Sequence, residues 1–183
     1  MSRHVAFLRA INVGGHVVKM ERLVHVFESL GVARIETFLA SGNVVFDSVA
    51  RTETTLARRI ESALAKALGY QVATFLRTLE QCAAISRAQP FAPARFAAAS
   101  AFNVALLEAP LDAAAKRKVL TLRTDVDDFH PDGREVYWLC QRKQSDSTFS
   151  NAVLEKTLGV PSTLRGASTL RKLVAKHPSP SRS

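Results

Sequence analysis

The chain is 183 residues long, 47% apolar and 22% charged. Those figures allow a sizeable core in one compact domain or two small ones and exclude a disordered or fibrous protein. Charge is the outlier, since 25 Lys and Arg against 16 Asp and Glu give +9, a balance that favours a polyanionic partner.

The excess is uneven: +1 over residues 1–50, +4 over 51–100, −2 over 101–133 and +6 over 134–183. No apolar run approaches the ~18 residues that span a bilayer. Arg9 interrupts the first apolar stretch too early for a secretory leader. The two cysteines, Cys82 and Cys140, make no disulfide framework. A cytoplasmic protein without membrane contact is the expectation.

In chain order, residues 4–12 alternate as a strand with apolar residues on both faces, which makes Arg9 the odd residue on it. Val13-Gly14-Gly15-His16 is a turn, and residues 19–30 carry a helical stripe stopped by Gly31. Strands at 34–40 and 44–47 form a hairpin across Ser41-Gly42-Asn43. Thr52 or Thr54 caps a helix with Leu56, Ile60, Leu64 and Leu68 on one face, ending at Gly69. Residues 71–77 complete a βαββαβ order, the ferredoxin-like motif.

Thr78-Leu79-Glu80-Gln81 is a capping box that opens a short helix to about residue 88, and a Pro- and Ala-rich connector follows. The order then repeats: strand 101–107, helix 112–122, a hairpin of 126–130 with 135–140, helix 147–158 ending at Gly159, strand 162–165 and a last helix at 169–176. The predicted fold class is therefore α+β, with two tandem ferredoxin-like (βαββαβ) subdomains and extra helices. The boundaries are 1–78, a helix and connector at 79–100, a second subdomain at 101–176 and a disordered tail at 177–183.

Chemistry concentrates in the turns. Arg9, Asn12, Gly14, Gly15, His16 and Lys19 surround one strand-to-helix turn, where glycines let backbone amides approach an anion and the cations add charge. The Gly-rich patterns of dinucleotide and P-loop sites are absent, so a purely structural turn competes with this reading. Ser41, Gly42 and Asn43 form the second polar turn, and Arg165 and Lys172 are basic candidates from the second half. Phe7 and Phe46 on the first and third strands could stack RNA bases only if both faced an open sheet, and core positions explain them better. Asp125, Asp127, Asp128, His130 and Asp132 read as an exposed acidic hairpin without the spacing of a calcium loop. Cys82 lies on a helical core stripe, and Ser145, Ser147 and Ser150 read as loop or cap residues. No nucleophile–base pair, cofactor motif or metal site is predicted.

The strings Arg9-Ala10-Ile11-Asn12-Val13-Gly14-Gly15 and Ser41-Gly42-Asn43-Val44-Val45-Phe46 are distinctive. With Asn151, Leu158-Gly159-Val160-Pro161, Thr163-Leu164-Arg165 and Lys172-Leu173, they resemble the bacterial domain-of-unknown-function family 1697 over residues 4–176. The resemblance implies a cytoplasmic protein of two ferredoxin-like subdomains and supplies no activity. The chain departs from the family's pattern at Ala10, where Gly is usual, at Thr148, where a basic residue is usual, and at Gly166-Ala167, where Asn-Trp is common.

Three functions follow as expectations. The first is a non-enzymatic binding protein for an anionic partner, a nucleic acid or a nucleotide. The second is an enzyme on a small phosphorylated or carboxylated substrate anchored by Arg9, Lys19 and Arg165. The third is an interaction protein with no small ligand.

Overall fold

A computed structural model describes residues 1–9, 11, 12, 17–39 and 42–177. The chain divides into two units, residues 1–83 with the chain from Leu173 onward, and residues 84–172.

In the first unit β1 (Ser2–Leu8) is followed by α1 (Met20–Glu28), β2 (Ala33–Phe38), β3 (Asn43–Ser48), α2 (Glu53–Leu68) and β4 (Thr74–Thr78). The sheet order is β2-β3-β1-β4 with all pairs antiparallel, the ferredoxin-like arrangement. The period of two along each strand puts Ala6, Leu8, Val44, Phe46 and Leu76 on the helix-covered face, where they meet Leu23, Phe27, Ile60 and Leu64 at 0–4% exposure. Thr52 caps α2, accepting from the Thr55 amide, and Gly69 ends it in the left-handed conformation. Two arginines serve as helix-end partners: the Arg22 guanidinium donates to the Ala67 carbonyl near the end of α2, and Arg59 donates to the Leu30 carbonyl just past α1.

Phe7 and Phe46 point to opposite faces. Phe46 meets Phe27 edge-on at 5.2 Å between centroids, and both Phe7 and Phe46 are fully buried, so neither offers a base-stacking platform. Opposite the helices, Asp47 is buried at 1% exposure and binds Arg3 at 3.2 Å and Arg34, while Arg3 also reaches Glu36 at 2.7 Å. Arg34 takes φ +47 at a bulge in β2, and its ion pair with Asp47 helps hold that strained backbone.

The capping box forms as expected, with the Thr78 amide donating to Gln81 Oε1 at 2.8 Å and the Gln81 amide to Thr78 Oγ1 at 3.1 Å. It opens α3 (Leu79–Arg87), and the connector that follows contains a further short helix, α4 (Pro93–Ala98), with Pro at its start.

The second unit repeats the order: β5 (Ala101–Leu106), α5 (Ala113–Leu120), β6 (Asp127–Asp132), β7 (Glu135–Cys140), α6 (Asn151–Leu158) and β8 (Thr163–Gly166), followed by α7 (Ala167–Lys176), whose residues from Leu173 on belong to the first unit. Its sheet order, β6-β7-β5-β8, is that of the first unit. Ala105, Phe129, Val136 and Trp138 pack under Val119, Phe149 and Leu154.

The acidic hairpin differs from expectation. Strand alternation turns Asp127 inward to 1% exposure beside Phe129, while Asp128 on the outer face is bound by Arg95 at 3.1 Å and Arg123 at 2.8 Å. His177, expected in a disordered tail, is buried at 7% exposure. Its amide donates to the Leu173 carbonyl at 3.1 Å and its ring meets Phe38 edge-on. The remainder of that tail, residues 178–183, lies outside the described residues. Among the described residues no helix is long and apolar enough to cross a membrane.

Candidate functional site

The strand expected to run through Asn12 ends at Leu8, and Arg9 begins a turn. Apolar alternation continues past this point because Ile11, at 2% exposure, enters the core from the turn itself. The Leu8 amide donates to the Gly42 carbonyl at 2.8 Å, and the Arg9 amide donates to the Ala73 carbonyl at 2.9 Å. Segments distant in sequence, the β1–α1 turn and the β2–β3 turn, thus meet at one end of the sheet.

Gly42 is required there. It takes φ +76, and a Cβ on it would lie 2.6 Å from Ile11 Cγ2 and 3.3 Å from Leu8 Cβ. Asn43, at 1% exposure, donates from Nδ2 to the Phe38 carbonyl at 2.9 Å and so ties the hairpin. Asn12 Oδ1 accepts the Val18 amide at 2.8 Å, joining the two sides of its loop. Tyr70 donates its hydroxyl to the Ile11 carbonyl at 3.2 Å. Gly42, Asn43 and Asn12 therefore shape the site, and the charge at this end comes from half-buried Arg9 and from exposed Lys19, the residue before α1. The candidates Gly14, Gly15, His16 and Ser41 lie outside the described residues.

Arg165 and Lys172 belong to the second unit. Arg165 Nη1 donates to Thr163 Oγ1 at 2.7 Å and to the Leu164 carbonyl at 2.9 Å, and burial lowers its pKa to about 10, which leaves it charged at neutral pH. Lys172 is exposed on α7. Arg77 of the first unit, absent from the sequence-based candidates, occupies the matching position. It pairs with Val5 as Arg165 pairs with Val104, and its Nη1 donates to the Leu76 carbonyl at 2.7 Å. The signal was present in sequence as an arginine closing the last strand of each half, just before a helix.

The basic excess is partly structural. Arg3, Arg34, Arg95 and Arg123 neutralise buried or half-buried carboxylates, while Arg22, Arg59 and Arg171 donate to backbone carbonyls. Among the described residues no group of three or more His, Cys, Asp or Glu is arranged to hold a metal ion.

Two four-stranded antiparallel sheets in the same order, each carrying two crossing helices, define a tandem ferredoxin-like α+β protein. The family described as "Protein of unknown function (DUF1697)" matches residues 1–137, and the chain belongs to that family. Among solved structures it is similar to the conserved bacterial protein SP0830 from Streptococcus pneumoniae. The two are 23% identical, with 98% of this chain and 99% of that one covered at a TM-score of 0.76, a likeness of fold. No curated protein matches this chain.

Proposed function

We propose that the protein is a cytoplasmic, non-enzymatic binding protein for an anionic ligand, a nucleic acid or a nucleotide. The observation that carries this reading is the meeting of the β1–α1 and β2–β3 turns at one end of the first sheet, with Arg9 and Lys19 as its charges. Gly42 and Asn12 fix the backbone there, so the two cations ride on a preorganised frame, which lowers the ordering cost of binding. Exposed Arg51, Arg58 and Lys66 of the same unit add long-range attraction for a polyanion.

The test is fluorescence anisotropy with labelled single-stranded RNA, single-stranded DNA and duplex DNA at low and near-physiological salt, with a nucleoside triphosphate as competitor. Binding that survives physiological salt and weakens in Arg9→Ala and Lys19→Ala, with the salt slope reduced by about one per lost phosphate contact, supports a nucleic-acid ligand. Displacement by the triphosphate with little salt dependence supports a nucleotide. Affinities unchanged in both variants, or binding that vanishes with salt and prefers no probe, refute the site.

A further inference from the structure

The two units carry the same frame, yet they close its corresponding corner differently. Val5 faces Arg77 across β1 and β4 as Val104 faces Arg165 across β5 and β8, so Leu107 corresponds to Leu8 and the loop after Leu107 to the turn after Leu8. Gly69 and Gly159 likewise both end the second helix of their unit in the left-handed conformation. In the first unit the next residue is Tyr70, whose ring packs against the core and whose hydroxyl bonds the Ile11 carbonyl of the turn. In the second unit the next residue is Val160, which leaves the corner open and is itself 45% exposed.

A cavity of about 290 Å³ results. Its apolar wall is Leu107, Leu111, Ala115, Leu158, Val160 and Pro161, and the ionisable residues lining it are Glu108 and Asp112. Asp112 is committed to the start of α5, accepting the Ala115 amide at 2.7 Å, and so offsets the positive end of that helix. Glu108 is exposed at the rim. The C-terminal end of α6, at Leu158, also lines the cavity and carries the partial negative charge of a helix C-terminus. No lining residue is basic. The volume lies near the lower bound for small-ligand sites.

We propose that the second unit holds a binding site for a small apolar amine, its aromatic or branched alkyl body in the cavity and its ammonium at Glu108. This site is independent of the anion-binding reading and lies wholly within the second unit. Its selectivity is opposite in sign, because the matching loops present Glu108 and Asp112 here but Arg9 and Lys19 in the first unit.

The experiment uses the full chain and amide chemical-shift titration by NMR with 2-phenylethylamine, 2-phenylethanol and phenylacetate. The amine should shift the amides of Glu108, Ala109, Leu111 and Val160 saturably, with a dissociation constant of about 1 mM for a ligand of about nine non-hydrogen atoms. It should bind about threefold tighter than the alcohol, the advantage an exposed ion pair supports. Glu108→Gln should remove that advantage while leaving the alcohol unaffected. Val160→Tyr, which restores the aromatic plug of the first unit, should abolish binding of both. Absence of saturable shifts at these amides overturns the site, and alcohol or phenylacetate binding as tightly as the amine overturns the assigned class. If Val160→Tyr does not fold, the Glu108→Gln comparison decides, because that side chain is exposed.

Discussion

Replacing Asp127 by alanine probes the interior of the second unit, where one buried carboxylate joins three chain segments. Asp127 Oδ1 accepts from Trp138 Nε1 at 2.8 Å, Oδ2 accepts from Thr124 Oγ1 at 3.0 Å, and Ser147 Oγ lies 2.9 Å from both oxygens. The same Ser147 oxygen accepts the Phe149 amide at 2.9 Å, so the chain leading into α6 is fastened to the start of β6. Without the carboxylate the two hydroxyls have alternatives, since Thr124 is exposed and Ser147 half-buried. Trp138 has none: it is 0% exposed, and its indole N–H would be stranded. One stranded donor costs about 1–3 kcal/mol, and the lost hydroxyl bonds to a charged acceptor bring the expected total to about 3–4 kcal/mol. Asp127→Asn keeps an acceptor for the indole, and its amide can donate to either hydroxyl, so about 1 kcal/mol is expected.

Urea unfolding followed by fluorescence suits the question, because Trp138 is the sole tryptophan and reports on its own unit. Trp138→Phe supplies the cross-check, with all four variants followed by far-ultraviolet circular dichroism because this substitution removes the fluorescent reporter. In the Trp138→Phe background Asp127→Ala should cost at least ~1 kcal/mol less than in the wild type, since no donor remains to strand. A loss below ~1 kcal/mol for Asp127→Ala, or equal losses for the alanine and asparagine variants, refutes the argument that the indole bond dominates.

Three further outcomes follow from the geometry. Gly42→Ala combines a left-handed backbone with a Cβ 2.6 Å from Ile11 Cγ2, and should destabilise by about 2–4 kcal/mol in denaturant titrations. Adding Ile11→Ala removes the overlap but not the backbone strain, so the double variant should be more stable than the sum of the singles by about 1 kcal/mol, and strict additivity would rule out the clash. Burial holds His177 below its ordinary pKa of 6.5, a lowering that Arg3 and Lys176 reinforce and Glu36 opposes. The unfolded chain therefore binds the proton more readily, and stability is full above about pH 6.5 and falls as pH drops through it. The melting temperature should decline from pH 7.5 to 5.5, and His177→Gln should flatten that decline, whereas an unchanged slope would remove His177 as its source. Burial pushes the Cys140 thiol up, and the Asp127 carboxylate beside it adds to the shift against a backbone hydrogen bond from Arg142. Iodoacetamide at pH 8 should leave Cys140 unmodified by mass spectrometry until denaturant is added, and rapid alkylation of the native protein would contradict this environment.

The element order was legible because its signals are local. The apolar stripes of α1 and α2, the left-handed stops at Gly31, Gly69 and Gly159, and the Thr78–Gln81 capping box each depend on a few adjacent residues. What escaped depends on contacts between distant segments. The end of β1 was overrun because Ile11 continues the apolar pattern while belonging to a turn. The helix read as starting near Ser147 begins at Asn151, because Ser147 is drawn to Asp127 and Ser150 supplies the cap. Asp127 was assigned to solvent by residue type, although the period of two places it with Phe129 rather than with Asp128. At the candidate site the sequence named the two turns but not their junction. Gly42 reads as a turn glycine, and only the folded chain shows that Ile11 leaves no room for a side chain there.

The internal repeat separates what the fold determines from what the loops determine. Both units place an arginine on the last strand of the sheet, Arg77 and Arg165, and both bond its Nη1 to the preceding carbonyl. Both also hold the approach to that strand with a helix glutamate, Glu61 accepting the Thr74 amide at 2.8 Å and Glu155 accepting the Ser162 amide at 2.7 Å. These shared features belong to the frame. The differences sit where loops tolerate variation: the long Arg9–Lys19 turn with its Tyr70 plug against the short Glu108–Asp112 loop with Val160 and a cavity. On the two sites proposed above, one frame used twice would host ligands of opposite charge, because loop residues rather than sheet topology set the sign at each corner. Reversing Glu108 to Lys should then cost the amine site its selectivity without disturbing β5, since the Leu107 amide still donates to the Arg134 carbonyl and the Leu111 amide to that of Gly133.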